Sequence, residues 1–304
     1  MPTAPSMDGY AASGSSLTLR GLKQTIYSRP PIAIFADLDV LCNAPRPMIA
    51  AGFGDTFGKY SALADWKLAH LIWGDRYHPA IAARVAKSLD ACARLVEDLE
   101  IEWEANIRAL MNALIDIGVC MYLAGTTRPA SGAEHSLSHF WEMKMMREGR
   151  PAIFHGTKVG FAEILIAKQY DTLRKITRQE AIHLIRETSR PDPFQEEIRI
   201  RNSFGAQANQ VLELQRPFIH ISDEDFKTKQ QAIISKWDEI QGFAASVPRE
   251  ETIVALAKMV GLPTMPDVIH LNDDDIQQAF QSAHYARGAF TILKLFKFLG
   301  LEPK

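Results

Sequence analysis

The chain has 304 residues, room for one large domain or two ordinary ones. Apolar residues make up 47% and charged residues 23%, which excludes a disordered or fibrous chain and leaves ample material for a core. With 34 basic against 36 acidic residues the net charge is -2, so bulk charge gives no case for nucleic acid or an anionic membrane surface as a partner.

Cys42, Cys92 and Cys120 lack C-x-x-C spacing, so they form neither a disulfide framework nor a zinc ribbon and suit a reducing compartment. No uninterrupted apolar run reaches the roughly 18 residues that span a bilayer, so no membrane partner is expected. The first residues lack the basic and apolar regions of a signal peptide, which makes the cytoplasm the expected address.

In chain order, residues 1–45 are rich in Pro, Gly and Ser and read as loops and short strands. Strands are predicted over 16–20 and 24–27, around a turn at Gly21. The run Pro31-Ile32-Ala33-Ile34-Phe35-Ala36 predicts a third strand, buried in a covered sheet. From Pro47 onward the pattern is helical. The segment Ala51 to Lys59, with glycines at 52, 54 and 58, reads as a loop that leads into a helix. Helical spacing marks 62–73, 79–99, 101–119 and 158–170, and amphipathic stretches cover 178–188, 223–244, 249–260 and 274–298. No internal repeat is visible.

Three of the nine histidines stand out. His135 and His139 form an H-x-x-x-H pair; on a helix their rings share one face, one turn apart. His155 lies next to Gly156, ahead of the following helix. Such histidines are also common as hydrogen-bonded structural residues. Asp55 lies among three glycines, which allow close backbone approach, and it also reads as a helix N-cap. One carboxylate and two imidazoles form a coherent ligand set for a divalent ion with an open position.

Four ordered motifs carry a resemblance. They are Pro2-Thr3-Ala4-Pro5-Ser6-Met7-Asp8-Gly9-Tyr10, Ala51-Gly52-Phe53-Gly54-Asp55, Arg128-Pro129-Ala130-Ser131-Gly132-Ala133-Glu134-His135, and His155-Gly156-Thr157-Lys158-Val159-Gly160. Together the chain resembles the sn-glycerol-1-phosphate dehydrogenase family, within the superfamily of glycerol dehydrogenase, iron-containing alcohol dehydrogenase and dehydroquinate synthase. The resemblance covers residues 2 to about 165 and is looser beyond, where it rests on helical character and Tyr285-Ala286-Arg287.

The resemblance implies a mainly α fold. A dehydroquinate synthase-like helical metal- and substrate-binding domain would occupy 46–304. The β-rich remnant of an α/β nucleotide-binding domain would precede it at 1–45. It implies Asp55, His135 and His155 as ligands of zinc, nickel or iron, and NAD or NADP as cofactor. Asp8, Asp55 and His139 would contact a small phosphorylated polyol, with His139 passing the proton, and Thr3, Ala4, Pro5 and Ser6 would touch the dinucleotide. The alcohol dehydrogenase branch has a second histidine one turn after the metal aspartate. Here that position is Lys59, read as a phosphate partner or, equally, as a solvated helix lysine. A serine usual at position 12 is Ala12 here.

The implied activity is NAD(P)H-dependent reduction of dihydroxyacetone phosphate to sn-glycerol 1-phosphate. No G-x-G-x-x-G run is present, so the family's glycine-rich nucleotide-binding turn is expected to be missing ahead of Met1, with activity of the chain alone weak or absent. Three other readings stay open: another polyol or alcohol dehydrogenase, a dehydroquinate synthase-like lyase, and a non-catalytic metal-binding helical module. A homo-oligomer is compatible with the large apolar content.

Overall fold

The computed structural model describes all residues except 20, 97, 98, 100 and 304. A short 3-10 turn, Gly9–Ala11, precedes strands β1 (Gly14–Leu19) and β2 (Leu22–Tyr27). These two form an antiparallel hairpin with Gly14 opposite Tyr27 and Leu19 opposite Leu22. Gly21 in the turn has φ of 81°, a conformation that favours glycine. The expected third strand is absent. Residues 31–36 form no ladder, and Ile32 and Phe35 are exposed. Pro30 and Pro31 lack the N–H that a strand must donate.

Helices follow. They are α1 (Leu38–Cys42), α2 (Arg46–Phe57), α3 (Lys59–Leu68), α4 (Pro79–Leu95), α5 (Trp103–Ala124), α6 (Ala133–Arg147), α7 (His155–Arg174) and α8 (Arg178–Glu187). Then come α9 (Pro193–Phe204), α10 (Ala208–Ile219), α11 (Asp223–Ser235), α12 (Trp237–Ala244), α13 (Glu250–Met259), α14 (Asp273–Ser282) and α15 (Ile292–Phe298). The fold is mainly α. Local chemistry sets many of the ends. Asp37, Thr177, Asp192, Ser222 and Asn272 accept from first-turn N–H groups, and Pro79 and Pro193 open their helices.

Three expectations need correction. The glycine-rich segment at 51–59 is not a loop: Asp55 sits inside α2, so it caps nothing. The stretches 223–244 and 274–298 are each broken, the first at Lys236 and the second over residues 286–291. Helices α9 and α10 lie outside the predicted stretches. On α9 only Glu196, Ile200 and Phe204 are buried, a stripe one residue wide, and α10 carries Pro217 within its last turn.

One hydrophobic cluster runs through the molecule, from Ala4, Leu22 and Leu41 to the aromatic centre of Phe53, Trp141 and Tyr170. Residues near the N-terminus thus share a core with the helices. Helix α5 has the length and apolar character of a membrane span, but half of that window is buried inside the protein.

Helices α2 and α7 cross so closely that glycine is required. A Cβ on Gly54 would lie 2.4 Å from the Gly156 carbonyl oxygen, and one on Gly160 would lie 2.8 Å from Gly54 Cα. A Cβ on Gly52 would stand 1.8 Å from the Pro5 carbonyl oxygen, which is how the segment 3–6 seats on α2. Gly118 gives the same clearance on α5 for the backbone of Asp8 and Ala11.

Candidate metal centre and substrate cavity

Asp55 comes from the last turn of α2, His135 from the first turn of α6 and His155 from the first residue of α7. Each offers one ligand-capable atom, and these atoms lie within 4.8 Å of one another. The Nε2 atoms of His135 and His155 face Asp55 Oδ1 at 3.6 and 4.0 Å. His139 stands one turn after His135, and its ring centroid is 5.9 Å from both other imidazoles.

The centre is held from behind by groups the sequence did not single out. Glu134, fully buried, lies 2.6 Å from His135 Nδ1 through Oε1. A bond there leaves His135 Nε2 for the ligand side. Ser61 Oγ donates to Glu134 Oε2 at 3.0 Å and also contacts the buried Glu163. Asp65 reaches across from α3 to accept from Ala133 N at 2.8 Å, which anchors the start of α6. Gly132 makes room, since a Cβ there would lie 2.6 Å from Asp65 Oδ2. The Gly-Ala-Glu-His run was in the sequence, but nothing local indicated that its glutamate turns inward.

Lys59 has no solvent exposure, so it is not a solvated helix lysine. Its Nζ is 2.6 Å from Asp8 Oδ2 and 2.9 Å from Asp55 Oδ1, and it is not on the cavity wall. Asp8 N donates to Asp55 Oδ2 at 2.9 Å, closing a small buried ring of charges. Burial and Asp55 push the Asp8 carboxyl up to about 7 against the pull of Lys59. Burial opposes ionisation of Asp55 too, but Lys59, His155 and His135 outweigh it and hold that carboxyl at about 2. Burial also keeps His135, His139 and His155 below the usual histidine range, with Lys59 adding to the effect at His135 and Arg287 at His139. The three imidazoles are therefore neutral near pH 7, the form in which a ring nitrogen can bind a metal or accept a proton.

A cavity of about 340 Å³ opens in front of the histidines. Asp8, His135, His139 and His155 line it together with Lys23 and Arg287. The segment from Thr3 to Ser6 is not on its wall: Thr3 is exposed, while Ala4 and Pro5 are buried. Tyr10 OH donates to Ala4 O and accepts from Ser6 N, which ties that segment to the 3-10 turn.

The chain is similar to several known proteins. A family model described as iron-containing alcohol dehydrogenase matches residues 1–45. Glycerol-1-phosphate dehydrogenase [NAD(P)+] of Geobacillus thermodenitrificans is 36% identical over 294 residues, 96% of this chain and 64% of its own length. The chain is similar to glycerol-1-phosphate dehydrogenase over nearly all of its own sequence. The enzyme of that name from Bacillus subtilis is 34% identical over 97% of this chain and 62% of its own length. That of Pyrococcus furiosus is 38% identical over 58% of this chain and 52% of its own. The chain thus spans less than two thirds of the length of the glycerol-1-phosphate dehydrogenases it matches over most of its sequence. Among solved structures, an archaeal halo-thermophilic Red Sea brine pool alcohol dehydrogenase aligns at 14% identity with a TM-score of 0.48, over 98% of this chain and 62% of the other.

Proposed function

We propose that this chain holds one divalent ion on Asp55, His135 and His155 and binds a polyol phosphate for NAD(P)-dependent oxidation or reduction at its secondary carbon. In substrate terms this is the interconversion of sn-glycerol 1-phosphate and dihydroxyacetone phosphate. The observation that carries the reading is the convergence of the three donors, two neutral imidazoles and one ionised carboxylate, within 4.8 Å on three helices. That donor set fits zinc, nickel or iron(II). A divalent ion there supplies Lewis acidity, lowering the pKa of a bound hydroxyl and stabilising negative charge on its oxygen, while the dinucleotide exchanges the hydride.

The chain's own residues do the rest. Asp8, on the cavity wall, accepts from a polyol hydroxyl. His139, neutral and beside the other two rings, accepts the hydroxyl proton in the oxidative direction and returns it in the reductive one. Glu134 holds His135 in the orientation that presents Nε2. Lys59 balances the charges of Asp8 and Asp55. The segment from Thr3 to Ser6, inside the residues that match the alcohol dehydrogenase model, would contribute the side that touches the dinucleotide.

Metal analysis of the full chain purified without chelator tests the reading. We expect about one equivalent of divalent metal per chain and a small fraction of that in His135→Ala. Equal metal content in the two proteins would overturn it.

A further inference from the structure

The inner cavity does not end at the histidines. A wider cleft of about 700 Å³ lies outside it, between the hairpin and the α10 region, and Lys23, His139 and Arg287 line both. These three residues, common to both walls, mark a throat between cleft and cavity. Among the described wall residues of the inner cavity the formal charges are separated. Asp8 stands at the deep end, bonded to Asp55, and the cations Lys23 and Arg287 stand at the throat.

We propose that Lys23 and Arg287 form an anion clamp that holds the phosphate of the polyol phosphate at the throat, with its hydroxyls directed inward. This rests on the polyol phosphate reading above. At the throat a phosphate meets two cations, and the carbon end of the ligand is left to point inward toward Asp8 and the three proposed donors. Lys59, another cation near the centre, is enclosed by two carboxylates.

Both cations are held in place. Arg287 Nη2 donates to Thr127 Oγ1 at 2.7 Å and Nη1 donates to Ser131 Oγ, two hydroxyls on the cavity wall. They orient the guanidinium, whose planar fork suits phosphate oxygens. Lys23 comes from β2 and lies 2.6 Å from Glu142, which also takes Lys158 at 2.9 Å. At Glu142 two lysines share one carboxylate, and Arg287 brings a further guanidinium to the same wall. The charge of Arg287 is already felt at His139, where it reinforces the effect of burial.

Titration calorimetry on the zinc-loaded full chain tests this, with sn-glycerol 1-phosphate, inorganic phosphate and glycerol as probes. Lys23→Gln and Arg287→Gln are each expected to weaken both phosphate compounds at least tenfold, leaving the affinities for glycerol and zinc unchanged. Arg287→Lys, which keeps the charge, is expected to retain part of the affinity. Lys23→Gln, on the hairpin, guards against loss of fold in the Arg287 variants. Unchanged affinity for the phosphate ester in both Gln variants, or a wild-type chain that binds neither phosphate compound, would overturn the clamp. Inorganic phosphate held in a Lys23- and Arg287-dependent way, with sn-glycerol 1-phosphate bound no tighter, would keep the clamp and remove the polyol reading.

Discussion

Two carboxylates and one ammonium, all buried, leave Lys59 little freedom. Removing the ammonium abandons Asp8 and Asp55 to each other without solvent, and breaking one partner of a buried charge cluster typically costs about 3–5 kcal/mol. Lys59→Met keeps the aliphatic length and removes only the charge. We expect it to lower stability by about that amount in urea denaturation of the metal-free chain, with part of the loss recovered on adding zinc. A change below about 1 kcal/mol would mean that Lys59 is not the counter-charge of this pair. At this scale the sequence was partly legible. Residue types gave Asp55, His135, His139 and His155 as candidates, and the structure brings all four together. The direction of a side chain is not written in its neighbours. Lys59 is one turn from Asp55 on a continuous helical path, and only the tertiary position of Asp8 decides that it points inward.

Helices α2, α6 and α7 carry the centre, and all three are buried nearly all round. Periodicity arguments need a wet face and a dry face, so burial all round weakens the signal, which survives over 158–170 of α7 and is lost on α2. This is why residues 51–57 read as a loop, while amphipathic α4 was legible from its alternation alone. The opposite failure at 31–36 has a similar origin. An apolar run predicts burial only if a partner covers it, and no strand among the described residues does. A surface element shows a cleaner electrostatic device. Asp275, the third residue of α14, whose carboxyl accepts from the backbone N–H of the cap Asn272, is 2.6 Å from Lys144 and 2.9 Å from Arg150. Although burial opposes ionisation, bonds from Arg150 and Lys144 hold its carboxyl at about 2, below the ordinary 3.8. A carboxyl depressed in the folded state contributes its full stability above its unfolded value and loses it as pH falls toward the folded one. Asp275→Asn should therefore destabilise the protein by about 2 kcal/mol at pH 7. The gap from wild type should narrow from about pH 4 downward, as read by urea denaturation across pH 7 to pH 3. A gap that stays constant over that range would show that the ion pairs are not its source.

At the scale of the whole molecule, metal and fold are linked. The three proposed ligands come from separate helices, so an ion bound to all of them binds the folded chain far better than the unfolded one. Free zinc at a hundredfold excess over its dissociation constant should raise stability by about 2.7 kcal/mol, seen as a higher Tm that a chelator reverses and that His135→Ala does not show. A Tm indifferent to both zinc and chelator would count against a shared centre. The mainly α class was legible in the sequence because many of the outer helices have one wet face and several carry side-chain caps. The shared core joining Ala4 and Leu22 to the helices was not, because contacts between distant segments leave no local pattern.

The glycine crossing of α2 and α7 has one more consequence. Asp55 follows Gly54 and His155 precedes Gly156, and those two glycines meet backbone to backbone. The span between these two donors is thus a property of main-chain geometry, with no side chain wedged in the joint to act as an adjustable spacer. Substitutions in the surrounding core can drift without changing the bite of the centre, whereas a single methyl group at the joint would pry it open. The crossing works as a fixed gauge, and an ion of another size would have to be met by moving whole helices.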